Sequence, residues 1–195
     1  FTYEQFTRLY AATHPSRPSK KGVKLHPDWQ TLILVCAYTG GRQQEVAKLT
    51  WEQVDFANSQ IQLKRTKGHD THIMPMHSAV ARHLARVKKK AQSKTGLVMP
   101  FLAEKPGRTL SKHFREFVLP RIGIRQPYTK RKRQDDGDSD SVRQVGRKVA
   151  EYGLHSLRHS LNTWLNSHGV PEMTRMRLAG HSNADVNRGY THEEH

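Results

Sequence analysis

The chain has 195 residues and a formal net charge of +16, from 33 Lys plus Arg against 17 Asp plus Glu. This length fits one domain with its own hydrophobic core, and the positive surplus favours a polyanionic partner, because each Lys or Arg that neutralises a phosphate releases a condensed counterion. The single cysteine, Cys36, excludes an internal disulfide framework and a cysteine-based zinc site, and no apolar stretch is long enough to span a bilayer. We therefore expect a cytoplasmic protein that associates with nucleic acid rather than with a membrane.

The first strong helical pattern precedes a pair of glycines. Apolar residues recur at helical spacing from Trp29 to Cys36, and we expect Cys36 to be a buried, unreactive thiol. The pattern ends at Thr39-Gly40-Gly41, where glycine permits a turn. A second helix is predicted from Arg42 to Leu49, with its apolar residues facing the core.

The pattern changes to short β-like stretches in the next twenty or so residues. Predicted strands cover Val54 to Phe56, Ile61 to Leu63 and Thr71 to Met74, and turn-forming residues separate them at Asn58-Ser59 and from Lys67 to Asp70. We predict a small three-stranded antiparallel meander.

Helical patterns return after the meander. Ser78 is the predicted cap of a helix that buries Val80, Leu84 and Val87 and ends in Lys88-Lys89-Lys90. Further helices are predicted from Leu110 to Val118, from His155 to about His168 with Leu157, Leu161, Trp164 and Leu165 inward, from Pro171 to Leu178, and from Ala184 to about Tyr190.

The segment from Arg125 to Lys148 departs from globular composition. Its basic run Lys130-Arg131-Lys132-Arg133 is followed by Asp135, Asp136, Asp138 and Asp140. Dense charge of this kind stays solvated. We expect residues 125–148 to form a charged surface insertion in one domain that spans 1–195.

Two basic residues in the first half of the chain are candidates for phosphate chemistry. Arg42 follows the glycine pair, and Glu45 stands three positions later, close enough to orient it on a helix. The alternative is a surface ion pair of little energetic consequence. Lys67 lies in the predicted second β-turn, where a lysine is usually just solvated but can also reach into a groove and deliver a proton.

The second half adds four more candidates. His155 and Arg158 stand three apart at a predicted helix start, so both can point the same way, with His159 as packing or polar support. His181 follows a glycine and precedes Tyr190 by nine residues. The chain has six tyrosines, and a tyrosine taken alone is more often a core or surface residue than a nucleophile.

In their order and spacing, six of these residues together resemble the tyrosine recombinase family, also called phage integrases. The family carries an Arg, a hairpin Lys, a His-x-x-Arg, a late His or Trp and a Tyr, which match Arg42, Lys67, His155, Arg158, His181 and Tyr190. The resemblance runs from about Phe1 to the end of the chain. It implies an α+β, mainly α-helical catalytic domain with a small three-stranded antiparallel sheet.

The resemblance also implies a reaction and a role for each residue. Tyr190 would attack a DNA phosphate, leaving a 3′-phosphotyrosyl bond and a free 5′-hydroxyl, without a metal or a nucleotide cofactor. The arginines and histidines would hold the phosphate, Glu45 would support Arg42, and Lys67 would act as general acid. Neighbouring Lys64 and Arg65, with the basic run of the insertion, are expected to bind DNA.

The family further implies double-stranded DNA as the partner and a homo-tetramer on two duplexes for the full-length protein, with a monomeric isolated domain. Because the sequence starts at Phe1 rather than methionine, we expect it to be part of a longer protein with an N-terminal DNA-clamping domain.

Three other interpretations stand beside this one. A type IB topoisomerase shares the tyrosine and the cationic clamp, although the compact Gly-His to Tyr spacing favours a recombinase. A non-catalytic DNA-binding relative would have lost residues that are all present here. Zinc chemistry by some of the 13 histidines is disfavoured, because the terminal His192 and His195 lack a ligand-bearing helix pattern.

Overall fold

A computed structural model describes residues 1–17, 22, 24–64, 71–124 and 152–179. Its helices are α1 (Tyr3–Ala12), α2 (Asp28–Thr39), α3 (Gln43–Ala47), α4 (Ser78–Lys90), α5 (Pro100–Ala103), α6 (Gly107–His113), α7 (Leu154–Ser167) and α8 (Glu172–Ala179), and its strands are β1 (Val54–Asp55), β2 (Gln60–Lys64) and β3 (Thr71–Pro75). Short 3-10 turns cover Trp51–Gln53 and Leu119–Ile122, and a π-helical turn covers Phe114–Val118.

Helix α2 lies at the centre of the core. Every residue in it except Tyr38 is buried, including the polar Asp28, Gln30, Thr31 and Thr39, because other elements cover the helix on all sides. Helices α1, α4, α5 and α7 all pack against it. It ends where Gly40 adopts the left-handed conformation with φ 61°, which glycine reaches without steric cost. The prediction of a buried helix stopped by glycine is confirmed.

The three strands form an antiparallel sheet in the order β1-β2-β3. In its register Val54 pairs with Ile61, and Ile61 pairs with Met74. Ile61, Leu63 and Met74 are fully buried, so one face of the sheet joins the core. The predicted meander is confirmed, and the fold is α+β with helices in the majority.

Sequence patterns missed or misplaced several helix ends. Helix α1 was not predicted, although Thr2 and Gln5 form a reciprocal capping box at its start. Helix α3 stops at Ala47 instead of Leu49, because Leu49 turns away to accept the backbone N–H of Val98. The cap of α4 is His77 rather than Ser78, since its Nδ1 accepts the N–H of Ala79 at 3.1 Å.

Two predicted helices in the second half also differ in detail. The helix predicted from Leu110 begins earlier, at Gly107, because the Pro106 carbonyl already accepts the Leu110 N–H. In α7 only Leu157 of the four predicted inward residues is fully buried, and the other three are partly exposed. The helix also buries polar residues, namely Arg158, Ser160 and Asn162. The predicted helix from Ala184 and the insertion at 125–148 lie outside the described residues.

No helix among the described residues is both long and apolar enough to cross a membrane.

Candidate active site

The start of α3 holds the first pair of candidate residues. The Glu45 carboxylate accepts the backbone N–H of Arg42 at 3.2 Å and its guanidinium at 2.9 Å. Glu45 is buried, whereas the Arg42 side chain is 46% exposed. Because Glu45 is buried and makes two hydrogen bonds to Arg42, this ion pair differs from mobile surface pairs, which contribute little to stability. Glu45 therefore holds Arg42 in place while its guanidinium faces solvent.

The first two turns of α7 hold the second pair, His155 and Arg158. Arg158 is only 6% exposed, and its Nη1 donates to the Gly40 carbonyl at 2.6 Å. His155 lies at the surface one turn earlier. Partial burial of the ring, followed by the positive charges of Arg158 and Arg42, holds the pKa of His155 below its ordinary value. A neutral imidazole that can accept a proton is therefore favoured near pH 7.

The packing of α7 against α2 brings these two pairs together. Gly40 and Gly41 connect α2 to Arg42, and the Gly40 carbonyl binds Arg158, so one short turn contacts both arginines. The charges of both arginines act on the His155 ring. Three residues predicted from the sequence, Arg42, His155 and Arg158, thus meet at one place from positions more than a hundred residues apart.

An open groove of about 1570 Å³ runs past this place. Arg42, His155 and His159 line it, as do Ser111 and Arg115 from the α6 region. Its far end continues along α7 to His168 and across to the first residues of the chain. The groove is wide and rich in polar side chains, which suits an extended polar ligand better than a small apolar one.

Sequence reasoning missed the Ser111 and Arg115 side of the groove. Both lie in a helix that was predicted, but nothing in the local pattern separates them from ordinary surface residues. The Ser111 hydroxyl donates to the Gln43 side chain at 3.0 Å, and the same Gln43 amide donates to the Gly107 carbonyl at 3.1 Å. These bonds fix α6 beside α3 and complete the groove wall.

Other predicted site residues lie outside the described residues. They are Tyr190, His181, Lys67, Arg65 and the basic run Lys130, Arg131, Lys132 and Arg133. Lys64 is described, and it is exposed at the end of β2. Residues 65–70, with Lys67, connect β2 to β3. Within the described ranges no three His, Cys, Asp or Glu residues are grouped closely enough to hold a metal ion.

The whole chain, residues 1–195, matches the family model described as "Phage integrase family". It is 27% identical over 173 residues to the tyrosine recombinase XerC of Lacticaseibacillus casei, a match that covers 84% of this chain and 49% of the relative. XerC of Lacticaseibacillus paracasei matches to the same extent. The chain thus spans about half the length of the curated relatives that it matches.

Solved structures give the same result for the fold. The XerA recombinase superposes with a TM-score of 0.71 at 18% identity, over 100% of this chain and 60% of the other. The catalytic domain of bacteriophage HP1 integrase gives 0.62 at 19% identity, over 97% and 84% of the two chains. The XerH site-specific recombinase bound to its palindromic difH substrate gives 0.67 at 17% identity, over 100% and 49%. The chain therefore belongs to the phage integrase family, the tyrosine recombinases, and has the fold of their catalytic domains.

Proposed function

We propose that this chain cleaves and rejoins double-stranded DNA at specific sites through a covalent bond between Tyr190 and a 3′-phosphate. The observation that carries the proposal is the meeting of Arg42, His155 and Arg158, anchored by Glu45 and by the Gly40 carbonyl, beside a groove that Arg42 and His155 line. The family supplies the reaction class. The roles of the individual residues follow from their chemistry.

The two arginines act on the phosphate. Attack at phosphorus produces a crowded transition state with extra negative charge on the non-bridging oxygens. Guanidinium groups grip such oxygens bidentately, and they need no proton transfer to do so. Arg42, held by Glu45, and Arg158, held by the Gly40 carbonyl, are already fixed before DNA binds, so little reorganisation opposes the reaction.

His155 acts on protons. A free tyrosine has a pKa of about 10, so Tyr190 needs help to lose its proton as it attacks. A neutral His155 accepts that proton, and the surrounding positive charges stabilise the phenolate. His181 adds a hydrogen bond to the same phosphate in this proposal.

Lys67 protonates the departing 5′-oxygen, while Lys64, Arg65 and the basic run at 130–133 contact the DNA backbone. The phosphotyrosyl bond retains the energy of the phosphodiester, so a second 5′-hydroxyl reverses the step without a nucleotide.

The proposal extends to the full-length protein. We expect it to carry an N-terminal DNA-clamping domain beside catalytic domain 1–195, and to act as a homo-tetramer on two duplexes in the cytoplasm. Two structural neighbours are DNA complexes, namely XerH bound to its palindromic difH substrate and the Tn1549 transposon integrase in complex with transposon right end DNA.

The first test uses a pool of nicked duplex oligonucleotides with a randomised core. The wild-type chain is expected to form protein–DNA adducts that survive SDS, and sequencing the trapped DNA gives the preferred site. Tyr190→Phe is expected to bind the same DNA without forming an adduct. An adduct with Tyr190→Phe would refute the nucleophile, and relaxation of supercoiled plasmid without any special site would favour a topoisomerase.

The second test isolates Lys67. An oligonucleotide with sulfur in place of the departing 5′-oxygen releases a thiol, which is far more acidic than the alcohol it replaces and therefore leaves without a proton donor. Lys67→Ala is expected to cleave this substrate at nearly the wild-type rate but the normal substrate far more slowly. Equal loss on both substrates would assign Lys67 to binding rather than to proton transfer.

A further inference from the structure

The peptide bond between Gly40 and Gly41 is held at both ends. Its carbonyl accepts Arg158 Nη1 at 2.6 Å, and its N–H donates to Thr39 Oγ1 at 3.1 Å. The Thr39 hydroxyl in turn donates to the Val35 carbonyl of α2 at 2.7 Å. A continuous series of hydrogen bonds therefore runs from the Arg158 guanidinium to the backbone of the central helix.

Burial makes this series difficult to replace. Thr39 is 1% exposed and Arg158 is 6% exposed, so water cannot readily substitute for a lost partner. All the donors point the same way along the series, and bonds arranged like this polarise and strengthen one another. The Thr39 hydroxyl is placed to orient the peptide plane, and through it the carbonyl that holds Arg158.

Packing restricts the same peptide from the side. A Cβ on Gly41 would lie 2.6 Å from Leu63 Cδ1 and 2.7 Å from Val46 Cγ2. Both distances are shorter than any normal carbon contact. The turn is thus packed tightly between β2 and α3, so the Gly40–Gly41 peptide cannot shift sideways. It could still rotate, and the hydrogen bond to Thr39 opposes that rotation.

We propose that Thr39 is a positioning residue for strand cleavage, which sets the place of the Arg158 guanidinium through the Gly40–Gly41 peptide. The inference rests on the proposed role of Arg158 at the phosphate. Thr39 itself touches no DNA. The competing explanation is that Thr39 only fills space and ends α2, and in that case its hydroxyl would not affect the rate.

The test compares Thr39→Val, which keeps the shape and removes the hydroxyl, with Thr39→Ser, which keeps the hydroxyl and loses the methyl. Single-turnover cleavage is measured on the nicked oligonucleotide selected from the random pool, with DNA affinity measured separately. Thr39→Val is expected to slow cleavage about 10- to 100-fold, the effect of a small misplacement of a reacting group, with affinity within about twofold because the phosphate backbone contacts remain. Thr39→Ser is expected to stay within about threefold of wild type, because its hydroxyl makes the same bonds.

A double-variant comparison ties the effect to Arg158. In an Arg158→Ala background, Thr39→Val is expected to cause no further loss, because both changes remove the same interaction. A full additional loss in that background, or a Thr39→Ser as slow as Thr39→Val, would overturn the proposal.

A further variant covers the case in which Thr39→Val does not fold. Thr39→Ala removes the same hydroxyl with a smaller side chain, and is expected to slow cleavage in the wild-type but not in the Arg158→Ala background. Thr31→Ala is the matched control, because it truncates another buried threonine of α2, whose hydroxyl lies 2.9 Å from His83 Nε2 and outside the groove. If Tyr190→Phe abolishes the adduct while Thr39→Val and Thr39→Ala cleave normally, the positioning role is wrong and the proposed function stands. If Tyr190→Phe still forms the adduct, the proposed function itself fails.

Discussion

Helix α2 supports two buried polar clusters that differ in kind. At its C-terminal end, Thr39 and the following turn hold Arg158 beside an open groove. In its first half, Thr31 Oγ1 lies 2.9 Å from His83 Nε2 of α4, and the Tyr10 hydroxyl of α1 lies 3.1 Å from His83 Nδ1. The first cluster holds a buried positive charge next to the groove, whereas the second joins three helices inside the core.

The two clusters show what a buried polar group does in each setting. Both ring nitrogens of His83 meet hydroxyl groups, which can donate or accept, so a neutral imidazole is fully satisfied there. Burial, followed by the charge of Arg86, lowers the pKa of His83 to about 4. Arg158 keeps its charge instead, because an arginine does not deprotonate in proteins. Changes in the first cluster should affect catalysis, and changes in the second should affect stability.

The largest expected effect separates the clusters by activity. Arg158→Ala removes one of two guanidiniums proposed to stabilise the transition state, and cleavage should fall about 100- to 1,000-fold, as when an oxyanion donor is lost. Thr31→Val in the other cluster should cleave at nearly the wild-type rate. Single-turnover cleavage of the selected oligonucleotide measures both. An Arg158→Ala rate within a few-fold of wild type would remove this residue from the site.

Glu45 offers a second, smaller test at the groove. Glu45→Gln keeps the shape but weakens the charge-assisted bond to Arg42, so cleavage should slow about tenfold, close to the 1.5 kcal/mol typical of such a bond. Glu52→Gln is the matched control, because exposed Glu52, which accepts the Gly96 N–H, lies outside the groove. In an Arg42→Ala background Glu45→Gln should add nothing, whereas additive losses would mean that Glu45 acts elsewhere.

We expect the His83 cluster to make the free energy of unfolding depend on pH. The pKa of His83 is about 4 in the folded protein and about 6.5 when unfolded, so the unfolded chain binds the extra proton between these values. Stability from neutral His83 is therefore complete above about pH 6.5 and is lost as the pH falls through about 4, by about 3 kcal/mol at most. Urea unfolding between pH 4 and 7.5 measures this loss.

The control for this prediction is His83→Gln, which retains hydrogen-bonding groups but does not titrate in this range. Its free energy of unfolding should fall less steeply with decreasing pH than that of wild type. Parallel curves for the two proteins would show that other groups dominate acid unfolding.

Local patterns predicted the parts of the site that depend on neighbours in sequence. Glycine after a buried apolar run ended α2 as expected, and the spacing from Arg42 to Glu45 predicted their contact. The spacing from His155 to Arg158 correctly placed both on one helix. It did not show that Arg158 would be buried, because its partner, the Gly40 carbonyl, lies 118 positions away in the chain.

Features that depend on distant packing were not predicted. The His83 cluster joins three helices, one of which, α1, was itself missed, and a histidine in an amphipathic helix gives no sign of its partners. The hydrogen bonds from Thr39 to Arg158 could not be predicted from the sequence either, because a threonine before two glycines is also common at an ordinary helix end. The roles of Tyr190, His181 and Lys67 stay predictions.

Cys36 lies on α2 between the two clusters and gives the smallest expected effect. The thiol is 2% exposed, and burial, followed by the negative charge of Glu45, raises its pKa to about 12. Only the thiolate reacts with alkylating agents, so iodoacetamide at pH 8 should leave the native protein unlabelled and its cleavage rate unchanged, while the protein unfolded in urea should be labelled fully. Mass spectrometry of both samples measures this. Rapid labelling of the native protein with loss of cleavage would mean that α2 opens on the timescale of the reaction, and the two clusters would then respond together instead of separately.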